Sequence, residues 1–329
     1  MLPLEHLFEN FHLAKEALSH WDHEEEGLEE ALGQFRISSN AVYPFPWKGE
    51  RCYLRLAPLG EKQERNVRGE MEFLQYLRGE GYPCLEPLTS REGELCLELS
   101  TQWGPYWAAA FRQVPGEPLE DAPLTDQALL AYGRALGRLH ALSQEYRPQV
   151  AKWSHREALG WAGEALSQCG APDFAHRELE QIRSLLEGLP ASPEAYGLVH
   201  YDFELDNVFY SRAQDACWAI DFDDGMYHWY ALDVEQAIDS LGDRLEGEDL
   251  ERAQALFLQG YRQERPYPPE MDEARPLLRR FIDLYGYARL IRCVQKRFPQ
   301  EPQWMAQLRE KLDGAIQSRE AAMKARQAC

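Results

Sequence analysis

The sequence predicts an α+β chain in two lobes, an antiparallel sheet followed by a mainly helical part. Three observations predict it. Short apolar runs with the alternation of half-buried strands fall between Gln34 and Val114. Helical periodicity dominates from Asp126 onward. Between the two regimes, Pro115-Gly116 breaks the last strand and sets a boundary, giving lobes 1–114 and 115–329. A chain of 329 residues that is 44% hydrophobic and 12% aromatic is large enough to bury a core in each.

Taken in order, Leu4 to Trp21 carries apolar residues at helical spacing, and the acidic segment His23 to Glu30 reads as a loop or a solvated helix end. Gln34–Ile37, Ala41–Phe45 and Arg51–Leu56 read as three strands, turned at Ser38-Ser39-Asn40 and at Trp47-Lys48-Gly49-Glu50. Glu61 to Arg78 is an amphipathic helix with Val67, Met71, Phe73, Leu74 and Leu77 on its apolar face, ended by Gly79 to Pro83. Leu85–Leu88, Glu94–Leu99 and Tyr106–Val114 resume the strand pattern. Asp126 to Leu142 is a helix whose Gly133 and Gly137 imply close packing, and whose His140 reads as a buried structural histidine. Lys152 to Trp161 is a segment rich in Trp, His and Arg, holding Trp153, His155, Arg156 and Trp161, followed by a helix over Phe174–Leu186. Helices over Val234–Leu241, Leu250–Arg262, Glu273–Cys293 and Trp304–Lys324 complete the chain, with Asp233 read as an N-cap. Arg279, Arg280, Arg289 and Arg292 share one of these helices, where pairing with nearby acids is the simplest use for them.

The chemistry is concentrated between Leu198 and Asp224. His200-Tyr201-Asp202 is followed four residues on by Asn207, and then by Ile220-Asp221-Phe222-Asp223-Asp224. Val208–Tyr210 and Cys217–Ile220 flank a polar turn, Ser211 to Asp215, and read as a hairpin. Such a hairpin returns Asp221 to the neighbourhood of Asp202 and Asn207. Carboxylates and a carboxamide gathered at a hairpin mouth suit a hard cation, with one carboxylate left to accept a proton. His200 reads as a loop support rather than a reacting group. Asp223 and Asp224 divide between a metal shell, loop bracing and a solvated turn.

The spacing H-x-D-x-x-x-x-N followed by D-F-x resembles the catalytic and metal-binding loops of the protein-kinase-like fold. HYDFELDN and IDFDD are most similar to the aminoglycoside phosphotransferase and choline kinase branch, which holds homoserine kinases and stress-response kinases. The resemblance implies a bilobal protein-kinase-like fold and an ATP- and Mg²⁺-dependent transfer of the γ-phosphate to a hydroxyl of a small molecule. It implies Asp202 as the catalytic base, and Asn207 and Asp221 as the Mg²⁺ ligands. Arg55 stands where the family usually carries a phosphate-gripping Lys, with Glu70 as its partner and Glu72 as the fallback. Backbone N–H groups at Ser39 and Asn40 are placed to reach phosphate oxygens, although the turn lacks a G-x-G-x-x-G. Adenine is expected at the backbone of Gln113 and Val114. Asp223 and the cluster Tyr227, His228 and Trp229 are candidate substrate contacts, as are Trp153, His155, Arg156 and Trp161. An Asp at position 233 is expected to brace the catalytic loop from below. The competing readings are a protein Ser/Thr kinase, a non-catalytic nucleotide-binding relative, and a metal-dependent hydrolase; the first lacks an A-P-E segment after Asp221.

Composition sets the remaining bounds. A net charge of −20 argues against nucleic acid and anionic membranes, and it permits an amine-bearing acceptor. Seven scattered cysteines without a C-x-x-C pair argue against zinc and a disulfide framework and fit a reducing, cytoplasmic setting. No signal peptide or membrane span is expected. Neither the acceptor, the choice of ATP over GTP nor the oligomeric state is written in the sequence.

Overall fold

The computed structural model describes residues 11–37, 40–297, 301 and 303–328. Helices α1 (Phe11–Leu18) and α2 (Leu28–Leu32) precede a six-stranded antiparallel sheet. Its strands are β1 (Arg36–Ile37), β2 (Ala41–Trp47), β3 (Glu50–Pro58), β4 (Glu86–Leu88), β5 (Cys96–Thr101) and β6 (Gly104–Arg112). The path is β1-β2-β3-β6-β4, and β5 pairs with the first part of β6. Lys48 (φ 54°) and Gly49 (φ 71°) make the tight two-residue turn that joins β2 to β3. Residues 1–10, part of the helix expected from Leu4, lie outside the described residues, as do Ser38 and Ser39.

The two-residue period of β3 divides its side chains between two cores. Cys52, Leu54 and Leu56 are buried with Tyr43, Phe45 and Ala110 against α1 and α2. Arg55 and Ala57 take the opposite face, towards α3 (Glu64–Gly79). That helix buries Val67, Met71, Phe73, Leu74 and Leu77 in a larger core continuous with the helical part.

The helical part comprises α4 (Asp126–Glu145), α5 (His155–Gln168), α6 (Asp173–Glu187), α7 (Ala231–Leu241), α8 (Gly247–Glu264), α9 (Pro269–Cys293) and α10 (Gln303–Ala328). The first half of α5 falls on the Trp-, His- and Arg-rich segment, to which the sequence assigns no element. It starts on a capping box, with Ser154 N–H donating to Glu157 Oε2 at 2.8 Å. A short strand β7 (Glu117–Pro118) leads out of the sheet, and four more strands carry the central loops: β8 (Tyr196–Val199), β9 (Val208–Ser211), β10 (Ala216–Ala219) and β11 (Met226–Trp229). β9 and β10 form the expected hairpin, with Val208 opposite Ala219. β11 pairs with β8, with Met226 opposite Val199. These two pairings fix both ends of the segments 200–207 and 220–225. Gly116 (φ 100°) crosses β9 so closely that a Cβ would lie 2.5 Å from the Tyr210 carbonyl oxygen.

Candidate active site

The loop after β8 is built around a buried carboxylate. Asp233 is not an N-cap; it lies inside α7 and points under the loop. Its Oδ2 accepts from the N–H of His200 (2.8 Å) and its Oδ1 from that of Tyr201 (2.8 Å), while His140 Nε2 lies 3.0 Å from Oδ2. Gln236, also on α7, donates to the Tyr201 carbonyl at 2.8 Å. With both ends held, Tyr201 adopts a left-handed backbone (φ 67°). His200 is fully buried. Its Nε2 donates to the Ile220 carbonyl (2.8 Å) and its Nδ1 accepts from the Asp202 N–H (3.2 Å). Desolvation pushes its pKa down to about 4, so the ring is neutral and ties one loop to the other.

That tie brings three predicted site residues to one place. Asn207 Nδ2 donates to Asp202 Oδ2 at 3.0 Å and to the Asp202 carbonyl at 3.1 Å. Asn207 O accepts from the Ile220 N–H (2.9 Å), one residue before Asp221. Asp221 has a left-handed backbone (φ 62°), and its side chain, 33% exposed, lies 3.8 Å from Arg55 Nη1. Burial first, and then Glu204, hold the Asp202 carboxyl well above the usual carboxylate range. Burial and then Asp223 do the same to Asp221. Mutual repulsion of this kind is relieved by a bound cation.

Arg55 reaches across from β3 and grips Glu70 of α3 with both ends of its guanidinium, Nη1 to Oε1 at 2.8 Å and Nη2 to Oε2. Glu70 is fully buried. Glu72 faces elsewhere and accepts from Tyr146 Oη and the Gln149 and Val150 N–H groups. Asn40 is buried, and its side chain donates to Asp223 Oδ2 (2.7 Å). The Gln113 N–H is spent on the Arg51 carbonyl (3.1 Å), so an adenine edge has the Gln113 carbonyl and the Val114 backbone to meet.

Beyond Asp221 lies a cleft of about 350 Å³. Trp153, Trp161 and Tyr285 form an aromatic wall, with the Trp161 and Tyr285 ring centroids 5.5 Å apart. Paired charges line much of the rest: Lys62 pairs with Asp223 (2.5 Å) and Asp224 (3.2 Å), Arg289 with Asp224 (2.6 Å), and Arg292 with Glu61 (2.7 Å). Burial raises the pKa of Asp223, but Lys62 and then Arg55 outweigh it, and the carboxyl sits well below its usual range. The cluster expected beside this site is placed differently. His228 and Trp229 are buried in the β8–β11 pair, Trp229 Nε1 donating to the Pro190 carbonyl (2.9 Å), and none of Tyr227, His228 and Trp229 lines the cleft. Pairing with β8 turned them into core. His155 likewise packs on Trp229, whereas Trp153 and Trp161 do reach the cleft.

The donor set fits a hard divalent cation shared with phosphates. Asn207 commits its Nδ2 to Asp202, which leaves the amide oxygen for an ion, and Asp221 is the partly exposed carboxylate beside it. Among the described residues, no cluster of three or more His, Cys, Asp or Glu side chains is arranged to hold a metal. Mg²⁺ bound through one or two protein oxygens, water and phosphates needs no such cage. Sequence reasoning missed Lys62 and Lys152. Lys152 Nζ is buried and donates to the Phe222 and Asp223 carbonyls at 2.8 Å each, desolvation bringing its pKa down to about 8. Neither lysine lies in a motif, so only tertiary contact marks them.

A family model described as "Phosphotransferase enzyme family" matches residues 36–267. Amicoumacin kinase of Bacillus subtilis is 25% identical over 228 residues, 64% of this chain and 66% of its own length. Homoserine kinase of Caulobacter vibrioides is 29% identical over 233 residues, 66% of this chain and 69% of its own length. The chain therefore spans about two thirds of these curated relatives, just under that for the first. An amicoumacin kinase solved with AMP-PNP and Ca²⁺ shares the fold, with a TM-score of 0.74 over 94% of each chain at 20% identity. No helix among the described residues is long and apolar enough to cross a membrane.

Proposed function

The chain belongs to the phosphotransferase enzyme family, and on that premise we propose that it transfers the γ-phosphate of ATP to a hydroxyl of a small molecule held in the cleft. The observation that carries this reading is the approach of Asp202, Asn207 and Asp221 across two loops tied by His200. Asp202 orients the acceptor hydroxyl and takes its proton as the new O–P bond forms and the bond to ADP breaks. Its raised pKa makes the ionised carboxylate a better proton acceptor, although positioning matters more in a largely dissociative transfer. Arg55 spends only part of its donor set on Glu70 and offers the rest to the α- and β-phosphates. Asn207 and Asp221 would hold Mg²⁺ through their oxygens, and the bound ion would neutralise charge on the phosphates.

The cleft also bears on the acceptor. Its three cations, Lys62, Arg289 and Arg292, are matched in ion pairs by Glu61, Asp223 and Asp224. Cations and carboxylates balance along its lining, which does not include Asp202, so it supports a neutral or zwitterionic acceptor with an apolar portion whose hydroxyl extends from the cleft towards Asp202. Among the relatives' substrates, homoserine is of that kind. The test is ADP release from Mg-ATP over homoserine, amino alcohols, choline, sugars and aminoglycosides, with Asp202→Ala as the blank. Turnover of a compact neutral or zwitterionic alcohol supports the reading. No release above the blank for any compound defeats the kinase assignment, and preference for aminoglycosides defeats only the acceptor class.

A further inference from the structure

Asp223 gathers side chains from two separate segments of the sheet-bearing part onto the loop that carries Asp221. Its Oδ2 accepts from Asn40 Nδ2 (2.7 Å), next to the first residue of β2, and from Lys62 Nζ (2.5 Å), in the link between β3 and α3. Both donors are far away in sequence, and the carboxylate is only 9% exposed. The loop cannot yield on its other side, because the Phe222 and Asp223 carbonyls are pinned by buried Lys152. Lys152 in turn packs on Gly69 of α3, where a Cβ would lie 2.8 Å from its Cγ. Lys62, Asn66 and Asp223 line both the cleft and the small void beside Arg55 and Glu70, so they form the partition between the two. A buried carboxylate with two charge-assisted or amide donors holds both in place far more firmly than an exposed pair does.

We propose that Asp223 is a positioning residue that builds both binding surfaces at once, fixing Asn40 and the start of β2 on the nucleotide side and setting the cleft wall through Lys62. This rests on the kinase reading given above. It assigns Asp223 to neither the metal nor the acceptor. Its consequence is coupling: disturbing one carboxylate weakens ATP and acceptor together, while each donor answers for one side.

The experiment has two independent arms. In the first, Mg-ATP binding is measured by calorimetry, and KM for ATP and acceptor are measured for Asn40→Ala, Lys62→Met, Asp223→Asn and the Asn40→Ala/Asp223→Asn pair. The expected result is about a tenfold weaker ATP affinity in Asn40→Ala with acceptor KM unchanged, and the reverse split in Lys62→Met. Asp223→Asn raises both, and adding it to Asn40→Ala costs little further ATP affinity. Wild-type ATP affinity in Asn40→Ala overturns the proposal. So does an Asp223→Asn enzyme restored by excess Mg²⁺ or by Mn²⁺, which would make the residue a metal ligand. The second arm needs no activity: hydrogen exchange of the free protein over residues 41–47 and 59–66 is expected to quicken in Asp223→Asn. Unchanged exchange there overturns the tether even if the wild type proves to be a kinase. Faster exchange with no ATP binding by the wild type would leave the tether standing and defeat the kinase reading. Should Asp223→Asn fail to fold, the two donor variants carry both arms.

Discussion

The proton-accepting role proposed for Asp202 is separable from the contacts that hold the residue, and that separation can be tested. Asn207 Nδ2 donates to Asp202 Oδ2, and His200 Nδ1 accepts from the Asp202 N–H. Asn at position 202 is the same size and can still accept from Asn207, so the loop keeps its shape. What it lacks is a site for the acceptor's proton. Asp202→Asn is expected to lower kcat by roughly 10²–10⁴-fold while the Kd for Mg-ATP stays within about twofold. Steady-state kinetics with a nucleotide titration checks it, and a variant with near-normal kcat would remove Asp202 from the mechanism. This residue was legible in sequence because a loop needs its acid and amide at fixed spacing, and that spacing survives as text. The side chains around it were less so. Asn40 and Asp223 meet across 183 positions, and nothing in either neighbourhood announces the other. His228 and Trp229 show the converse, since closeness in sequence to the Asp221 loop does not put them on the cleft: the β8–β11 register buries them.

At the scale of elements, the loop is only as well placed as α4 and α8 are close. His140 of α4 bridges Tyr261 Oη of α8 (2.9 Å) and Asp233 Oδ2 (3.0 Å), and Asp233 holds the loop. Glycines make that approach possible. A Cβ on Gly133 would run into the Phe257 carbonyl, one on Gly260 into the Leu130 carbonyl, and one on Gly137 would lie 2.6 Å from the Tyr261 carbonyl oxygen. Because backbone stands in the way, the helices themselves must separate. Gly133→Ala is expected to cost about 1–3 kcal/mol in denaturant unfolding and to lower kcat in the fraction that stays folded. Gly160→Ala, in α5 where a Cβ meets nothing within 4 Å, is expected to gain about 0.4–1 kcal/mol. Equal effects at the two sites would show that helix propensity, not the crossing, governs α4. The glycines of α4 could be read as packing points from their spacing. The start of α5 is not marked by periodicity but by its Ser154-x-x-Glu157 capping box, a local signal that outweighs the aromatic composition around it.

Over the whole molecule, buried histidines and crowded carboxylates pull the acid stability in opposite directions. His140, His155, His200 and His228 are buried, and desolvation lowers the pKa of each, to about 4 for His155 and His200. A histidine that stays neutral when folded but binds a proton when unfolded stabilises the fold above about pH 6.5. That contribution is lost as pH falls from 6.5 towards 4. Asp202, Glu204 and Asp221 do the reverse. Their raised values, about 7 for Glu204, mean that the folded chain binds protons which the unfolded chain releases, so they favour the fold at low pH and lose that contribution as pH rises. Between pH 7 and pH 5 the two groups oppose each other, and the lowered Asp223 and Asp224 act in the histidines' direction only below that range. A single substitution exposes one of them. His155 is suitable because it lies away from the loops, with Nδ1 2.8 Å from Tyr196 Oη and its ring against Trp229. Between pH 7 and pH 5, His155→Gln is expected to lose about 2 kcal/mol less stability than the wild type, as read from urea midpoints at constant ionic strength. Parallel curves for the two proteins would mean that the folded state protonates His155 at its ordinary pKa. The packing of α5 against β11 would then open to water before the protein unfolds.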